Sequence, residues 1–240
     1  MKIILHKATD RGHANHGWLK ANHSFSFANY YDPEKMQFGA LRVLNDDTIA
    51  AKMGFGTHPH DNMEIITIPL SGVLKHRDNM NADWIPVLPG EVQVMSAGTG
   101  VQHSEINGSN DEALKLFQIW IMPFKRNVEP RYDQKAFDSE ERKNKLQILV
   151  SSMDDSHEDS LKIHQDASVA RLDLDAENSF EYQVKSLNHG VYVMVIEGSV
   201  SIDQHQLLKR DALGISDTDS FEIKAKSNSE ILFIEVPMAI

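Results

Sequence analysis

Residues 54–107, GFGTHPHDNMEIITIPLSGVLKHRDNMNADWIPVLPGEVQVMSAGTGVQHSEIN, hold two pairs of metal-ligating side chains. His58 lies one residue from His60, and His103 lies one residue from Glu105. Side chains alternate faces along a strand, so residues i and i+2 point the same way, with Cα atoms roughly 6–7 Å apart. One such pair supplies two ligands to one ion. Two facing pairs on neighbouring strands supply four, leaving one or two open positions on a metal that takes five or six. The spacing therefore predicts a mononuclear metal site. The surrounding sequence is apolar and β-rich, and Gly72, Pro89, Gly90, Gly98 and Gly100 punctuate it. Such turn residues fold a small barrel and carry residues distant in sequence onto one wall. Glu64 shares the parity of His58 and His60, so spacing alone leaves it open as an alternative to Glu105.

The same stretch resembles the two motifs of the cupin superfamily, and specifically those of the pirin family. His58-Pro59-His60, then Glu64 and Gly72, is similar to the first motif. Gly90, Ser96-Ala97-Gly98, His103, Glu105 and Asn107 are similar to the second. In cupins at large the fourth ligand is the first-motif glutamate, here Glu64. In pirins it is the glutamate two residues after the third histidine, here Glu105. The resemblance thus implies a ligand set of His58, His60, His103 and Glu105. It also begins before the metal motif, since residues 11–47 look like a pirin N-terminus.

Composition narrows the classes. The chain has 240 residues, 41% of them hydrophobic, enough for one large or two small domains with packed cores. Acidic residues outnumber basic ones 35 to 24, a net charge of −11 that repels a phosphate backbone and argues against a nucleic-acid partner. There is no cysteine, so a metal must be held by nitrogen and oxygen. Iron, manganese, nickel, cobalt, copper and zinc all accept such ligands; the resemblance implies iron(II). No apolar run approaches the roughly 20 residues that span a membrane, and the start MKIILHKATD lacks a secretory apolar core. A soluble cytoplasmic protein is expected.

In chain order, residues 2–6 read as a strand. His13 and His16 follow in a polar segment where loop or packing roles are the ordinary reading. HSFSFANYYD, residues 23–32, alternates aromatic and small polar residues like a half-buried strand. Residues 38–43 read as a strand, and Asn45-Asp46-Asp47 as the turn after it. Residues 114–122 form an apolar strand closing a first barrel. The charged stretch 131–145 reads as a polar linker with a helical turn.

The second half parallels the first. Residues 192–200 match 66–74, with Gly198 in the place of Gly72, and the closing strand recurs at 231–236. In that register His58 and His60 correspond to Val184 and Ser186, which bind no metal. His189 and His205 fall outside the ligand register and read as structural or exposed. The expected fold is all-β. It is a bicupin of two double-stranded β-helix (jelly-roll) barrels facing each other, with short helical or loop connections. Residues 1–130 would form the metal-binding barrel, 131–145 the linker and 146–240 a barrel without metal.

Three imidazoles and one carboxylate with open positions suit a metal that meets substrate, dioxygen or water directly. Bacterial pirin-like proteins with similar motifs act as quercetin 2,3-dioxygenases. The resemblance implies oxygen-dependent opening of the flavonol heterocycle with release of carbon monoxide, with Glu105 placed to take the hydroxyl proton. Phe25, Phe27, Phe38 and Met53 are candidates for the pocket wall. His76 and Asp78 stand near the site, either orienting ligands or edging a solvated hairpin. Two other readings stay open. One is a dioxygenase or isomerase of a different small molecule. The other is a metal-containing regulator that binds a transcription factor or metabolic enzyme.

Overall fold

The computed structural model describes residues 1–239. Its first half contains strands β1 Lys2–His6, β2 Gly12–Asn15, β3 Leu19–His23, β4 Leu41–Ile49, β5 Gly54–His60, β6 Glu64–Ser71, β7 Leu74–Asp78, β8 Ile85–Val87, β9 Glu91–Ser96, β10 Val101–Asn107, β11 Leu114–Ile121 and β12 Arg131–Ala136. Its second half contains β13 Gln147–Ser152, β14 Leu161–Ile163, β15 Ser168–Leu174, β16 Ser179–Gln183, β17 His189–Glu197, β18 Ser199–Ile202, β19 His205–Leu208, β20 Ala212–Ser216, β21 Ser220–Ala225 and β22 Ser229–Pro237. Among the described residues no helix is long and apolar enough to cross a membrane.

Two seven-stranded sheets run β12-β9-β6-β11-β4-β3-β2 and β1-β20-β17-β22-β15-β13-β14; two four-stranded sheets run β5-β10-β7-β8 and β16-β21-β18-β19. The orders correspond strand for strand: β6 with β17, β11 with β22, β9 with β20 and β10 with β21. Each large sheet pairs with a small one as a jelly-roll barrel, and the fold is the all-β bicupin that the motifs imply. The internal repeat is equally plain in the turns. Gly72 follows β6 and Gly198 follows β17, at φ of +84° and +87°, a backbone conformation that favours glycine.

Three local expectations change. Residues 24–40 are not a strand: β3 stops at His23, and the chain turns through a short Phe27–Tyr30 bridge. The aromatics that looked like one strand face go separate ways: Phe25 is buried, Phe27 and Tyr30 are half-buried and Tyr31 is exposed. Asn45-Asp46-Asp47 is not a turn but the middle of the nine-residue β4, where neighbouring strands on both sides override the turn preference of Asn and Asp. The 131–145 stretch is not only a linker. Its residues 131–136 pair with β9 as the edge of the first large sheet, and charged edge strands resemble loops in composition. A 3-10 turn, Ser139–Arg142, follows it. At the other end, β1 pairs with β20, so residues 2–6 complete the sheet of the second barrel rather than the first.

The two large sheets pack face to face, and the largest apolar cluster lies between them. Leu44, Ile66, Val94, Phe117 and Ile119 from the first sheet meet Val169, Tyr192, Met194, Leu232 and Ile234 from the second. The interior of the second barrel is filled, with Tyr182 stacked between Phe221 and Phe233. The interior of the first is not: its apolar residues form two smaller clusters beside a cavity. Phe25 and Phe38 belong to the seam between barrels, where their rings pack on Tyr192 at 5.3 and 5.7 Å. The Phe38 ring lies over Gly190 and Gly214, where a β-carbon would collide with it. Phe38→Ala empties this seat and is expected to cost about 3–5 kcal/mol of unfolding free energy in a denaturant titration, with both barrels melting in one transition at a lower midpoint.

Candidate metal centre

Strand β5 places His58 and His60 on one face, and β10 places His103 directly opposite His58. The register slips between His103 and Glu105, so that Gly56 and Thr57 together face Ser104, and Thr57 Oγ1 lies 2.9 Å from Ser104 Oγ. The bulge lets Phe55 and His58 both turn inward and sets Glu105 opposite Phe55. Gly54 makes the close approach feasible, since a β-carbon there would overlap the Glu105 carbonyl oxygen and Ile106 Cα.

The three imidazoles converge. Ring centroids of His58 and His103 are 4.4 Å apart, and His60 is 4.9 Å from each. His58 Nε2 and His103 Nε2 are 2.9 Å apart. Two nitrogens each ~2.1 Å from one ion at right angles would be separated by ~3.0 Å, so the pair is spaced as adjacent ligands of one metal. His58 Nδ1–H donates to the Gly56 carbonyl at 2.8 Å, which leaves Nε2 with its lone pair toward the centre. Burial, then the neighbouring imidazoles, lowers His103 to about 2. Burial and His58 lower His60 to about 4. Both rings are therefore neutral at physiological pH, the form that ligates metal.

Glu105 enters from the other side of His103. Donor atoms of His58, His60 and His103 form one close group, and those of His76, His103 and Glu105 form a second. His76 itself is occupied: Nε2–H donates to Asp78 Oδ2 at 2.9 Å and Nδ1 accepts from Gln93 Nε2 at 3.3 Å. Glu105 Oε2 accepts from Gln118 Nε2 at 3.1 Å, whereas Oε1 is buried without a partner. An orphaned carboxylate oxygen beside neutral imidazoles fits a bound cation. Desolvation pushes Glu105 up to about 7 in the absence of such a charge.

Glu64 points elsewhere. The turn at Asn62, with φ of +45°, resets the parity between β5 and β6. Ser96 Oγ donates to Glu64 Oε2 at 2.7 Å, while Ile65 on the next position faces the cavity. His13 and His16 are exposed and join neither donor group. His189 is structural, bonding Ser186 Oγ and the Asp166 carbonyl. In the second barrel, β21 turns Phe221, Ile223 and Ala225 inward, where β10 turns His103, Glu105 and Asn107.

Behind the centre, His76 and Asp78 are fully enclosed rather than edging a hairpin. Tyr132 of β12 stacks on His76 at 4.9 Å. A polar row crosses the first large sheet, since the register places His23, Asn45, Gln118, Thr67 and Gln93 side by side on five strands. Thr67 Oγ1 donates to Gln118 Oε1 at 3.0 Å, which turns the Gln118 amide N–H toward Glu105. In front lies a cavity of about 470 Å³ lined by Trp18, Phe27, Phe55 and Trp120 together with Asn45 and Asp47. Of the expected wall residues only Phe27 is there; Phe25 and Phe38 are in the seam and Met53 is exposed. Gln118 and Trp120 were legible as one face of the strand at 114–121, a glutamine among apolar residues being the signal. Nothing in the sequence marked Tyr132.

Two barrels of one topology, one hollow with an imidazole and carboxylate centre and one filled, define a two-barrel cupin. The sequence matches the Pirin family over residues 5–121 and the quercetinase C-terminal cupin domain over residues 149–236. It is 47% identical over 236 residues to quercetin 2,3-dioxygenase of Escherichia coli K12, covering 98% of this chain and 99% of that one. It is 41% identical over 234 residues to a pirin-like protein of Caulobacter vibrioides, covering 97% and 99%. The crystal structure of the bacterial pirin YhhW of Escherichia coli in complex with nickel(II) superposes with a TM-score of 0.92 at 44% identity, covering all of both chains. The chain belongs to the pirin family.

Gly54→Ala should break the bulge and lower bound metal at least about tenfold, read by elemental analysis, without unfolding the protein. A second expectation concerns pH. The folded Glu105 carboxyl holds its proton more tightly than the unfolded one, whose value is 4.5. Its stabilising contribution is therefore full below about pH 4.5 and is lost as pH rises through about 7. Metal-free Glu105→Gln should lack this loss, so its melting temperature gains on the wild type across that interval. A difference independent of pH would contradict it.

Proposed function

We propose that the protein is a metal-dependent dioxygenase that opens the heterocycle of flavonols such as quercetin. One divalent first-row ion would be held by His58, His60, His103 and Glu105. The observation that carries this reading is the meeting of three imidazoles and an orphaned carboxylate oxygen at the end of an aromatic-walled cavity. Relatives at high identity bear the name quercetin 2,3-dioxygenase, and nickel(II) is bound in the solved relative. Iron(II), implied by the motifs, suits the same nitrogen and oxygen donors.

Bound there, the ion would supply Lewis acidity toward an enolic oxygen and charge compensation during reaction with dioxygen. The chain's own residues do the rest. The cavity is of ligand size, and its flat walls, Trp18, Phe27, Phe55 and Trp120, take the faces of a planar polycyclic phenol and exclude water. Glu105, with Oε2 held by Gln118, is the carboxylate at the end of the cavity within reach of the substrate hydroxyl and its proton. His76, clamped by Asp78 and Tyr132, keeps the His103 ring from turning.

The test is anaerobic reconstitution with single metals, followed by oxygen uptake, carbon monoxide release and loss of flavonol absorbance. Turnover should depend on the metal and fall by about 10²–10³-fold in Glu105→Ala and His103→Ala, with the circular dichroism of the folded protein retained. Stoichiometric metal without oxygen uptake would sink the assignment.

A further inference from the structure

The inner face of β4 carries Asn45, Asp47 and Ile49, and their neighbours across the sheet fix what each can do. Asn45 lies between His23 and Gln118, and His23 Nδ1–H donates to its Oδ1 at 2.8 Å. Ile49 lies between Leu19 and Leu114. Asp47 lies between Ala21 and Leu116, neither of which can serve a carboxyl. Its Oδ1 is buried with no hydrogen-bond partner among the described residues, the residue is 5% exposed, and it lines the cavity in front of the metal centre. Asp46, on the opposite face of the strand, has the contrary environment. Its Oδ2 lies 3.0 Å from Arg210 Nε and 3.5 Å from an Arg11 nitrogen in the seam between barrels.

A buried carboxyl without a partner lowers stability. Where one side chain breaks the local pattern at that cost, function is the usual reason. The other cavity atoms without a partner are Trp120 Nε1, which can only donate, and atoms of His103 and Glu105 in the candidate metal centre, so Asp47 is the unpartnered acceptor that lies outside that centre.

We infer that Asp47 is the specificity residue of this cavity, its carboxyl accepting a hydrogen bond from a phenolic hydroxyl of the bound substrate, distinct from the oxygen that meets the metal centre. The inference rests on the reading of the cavity as a flavonol pocket. It narrows the substrate class from planar aromatics with one enolic oxygen to polyhydroxylated ones. Burial raises Asp47 to about 8, as befits a carboxyl that gains a donor only when ligand arrives. The cavity would thus reward a hydroxyl at one ring position and penalise its absence.

Binding is measured by tryptophan quenching in the metal-loaded full chain under anaerobic conditions, where no turnover occurs, with metal content checked in parallel. The two probes are quercetin and 3-hydroxyflavone, which keeps the enolic hydroxyl and lacks the others. Asp47→Leu should weaken quercetin at least about tenfold, leave 3-hydroxyflavone unchanged, and raise the melting temperature by a few degrees because an unpaired buried carboxyl is gone. Asp47→Ala, which also removes the acceptor, should show the same loss for quercetin alone and carries the test if the leucine variant does not accumulate. Equal loss for both probes, or unchanged quercetin affinity with a lowered melting temperature, would make Asp47 a structural residue and overturn the inference while leaving the flavonol assignment intact. If the wild type binds neither probe, the flavonol assignment falls and the inference with it.

Discussion

Everything at the candidate metal centre depends on apolar packing that lies elsewhere. A barrel whose interior holds imidazoles, carboxylates, amides and a cavity has little hydrophobic core of its own. The first barrel's interior is reduced to two small clusters, and its stability is drawn from the outer face of its large sheet. That face alternates with the inner one along every strand, so Ile66, Phe117 and Ile119 pack into the seam while Ile65, Gln118 and Trp120 line the cavity. The second barrel, filled by Tyr182, Phe221, Phe233 and their aliphatic neighbours, is the rigid surface against which this occurs. Its inward Phe221, Ile223 and Ala225 stand where the first barrel has His103, Glu105 and Asn107, so the same positions that are polar in one barrel fill the other.

Within the hollow barrel, polar groups are costly unless each has a partner. The row from His23 to Gln93 meets much of that requirement through the pairs His23–Asn45 and Thr67–Gln118 on adjacent strands. It also transmits position. Thr67 orients Gln118, Gln118 orients Glu105, and Gln93 meets His76 behind His103. Both ends of the ligand set are thus held by side chains on the stiff sheet, although β5 and β10 lie on the smaller one. The atoms left without partners in the cavity, on His103, Glu105, Asp47 and Trp120, are where an occupant is needed.

Much of this was legible in the sequence, and the failures have physical causes. A two-residue period exposes His58 with His60 and His103 with Glu105, and matched glycines expose the repeat. The same period misplaces Glu64, because it cannot see the left-handed turn at Asn62 between strands. Asn45-Asp46-Asp47 has the composition of a turn, and only the partners on either side of β4 make it a strand with one acid in the seam and one in the cavity. Aromatic alternation in 23–32 imitates a strand face, yet Phe25 packs into the seam while Phe27 lines the cavity. Charge along residues 131–136 hides an edge strand, and with it Tyr132.

The pairing of β1 with β20 has a consequence for how the chain folds. In the first barrel the edge strand β12 comes after the strands it completes, so that sheet can finish as soon as the segment is made. The equivalent place in the second barrel is filled by β1, which comes before the other described strands, with Lys2 set against Ser216. His6 is anchored there by a 2.8 Å hydrogen bond to the hydroxyl of Tyr192. Closing that sheet is a late, long-range event whose loop entropy falls due only after nearly all of the chain is in place. Until then the second barrel keeps an open edge, and the early strand remains an unpaired apolar ribbon. The two halves, separate in sequence, are therefore one kinetic unit, joined like a belt whose buckle is the first piece made and the last one fastened.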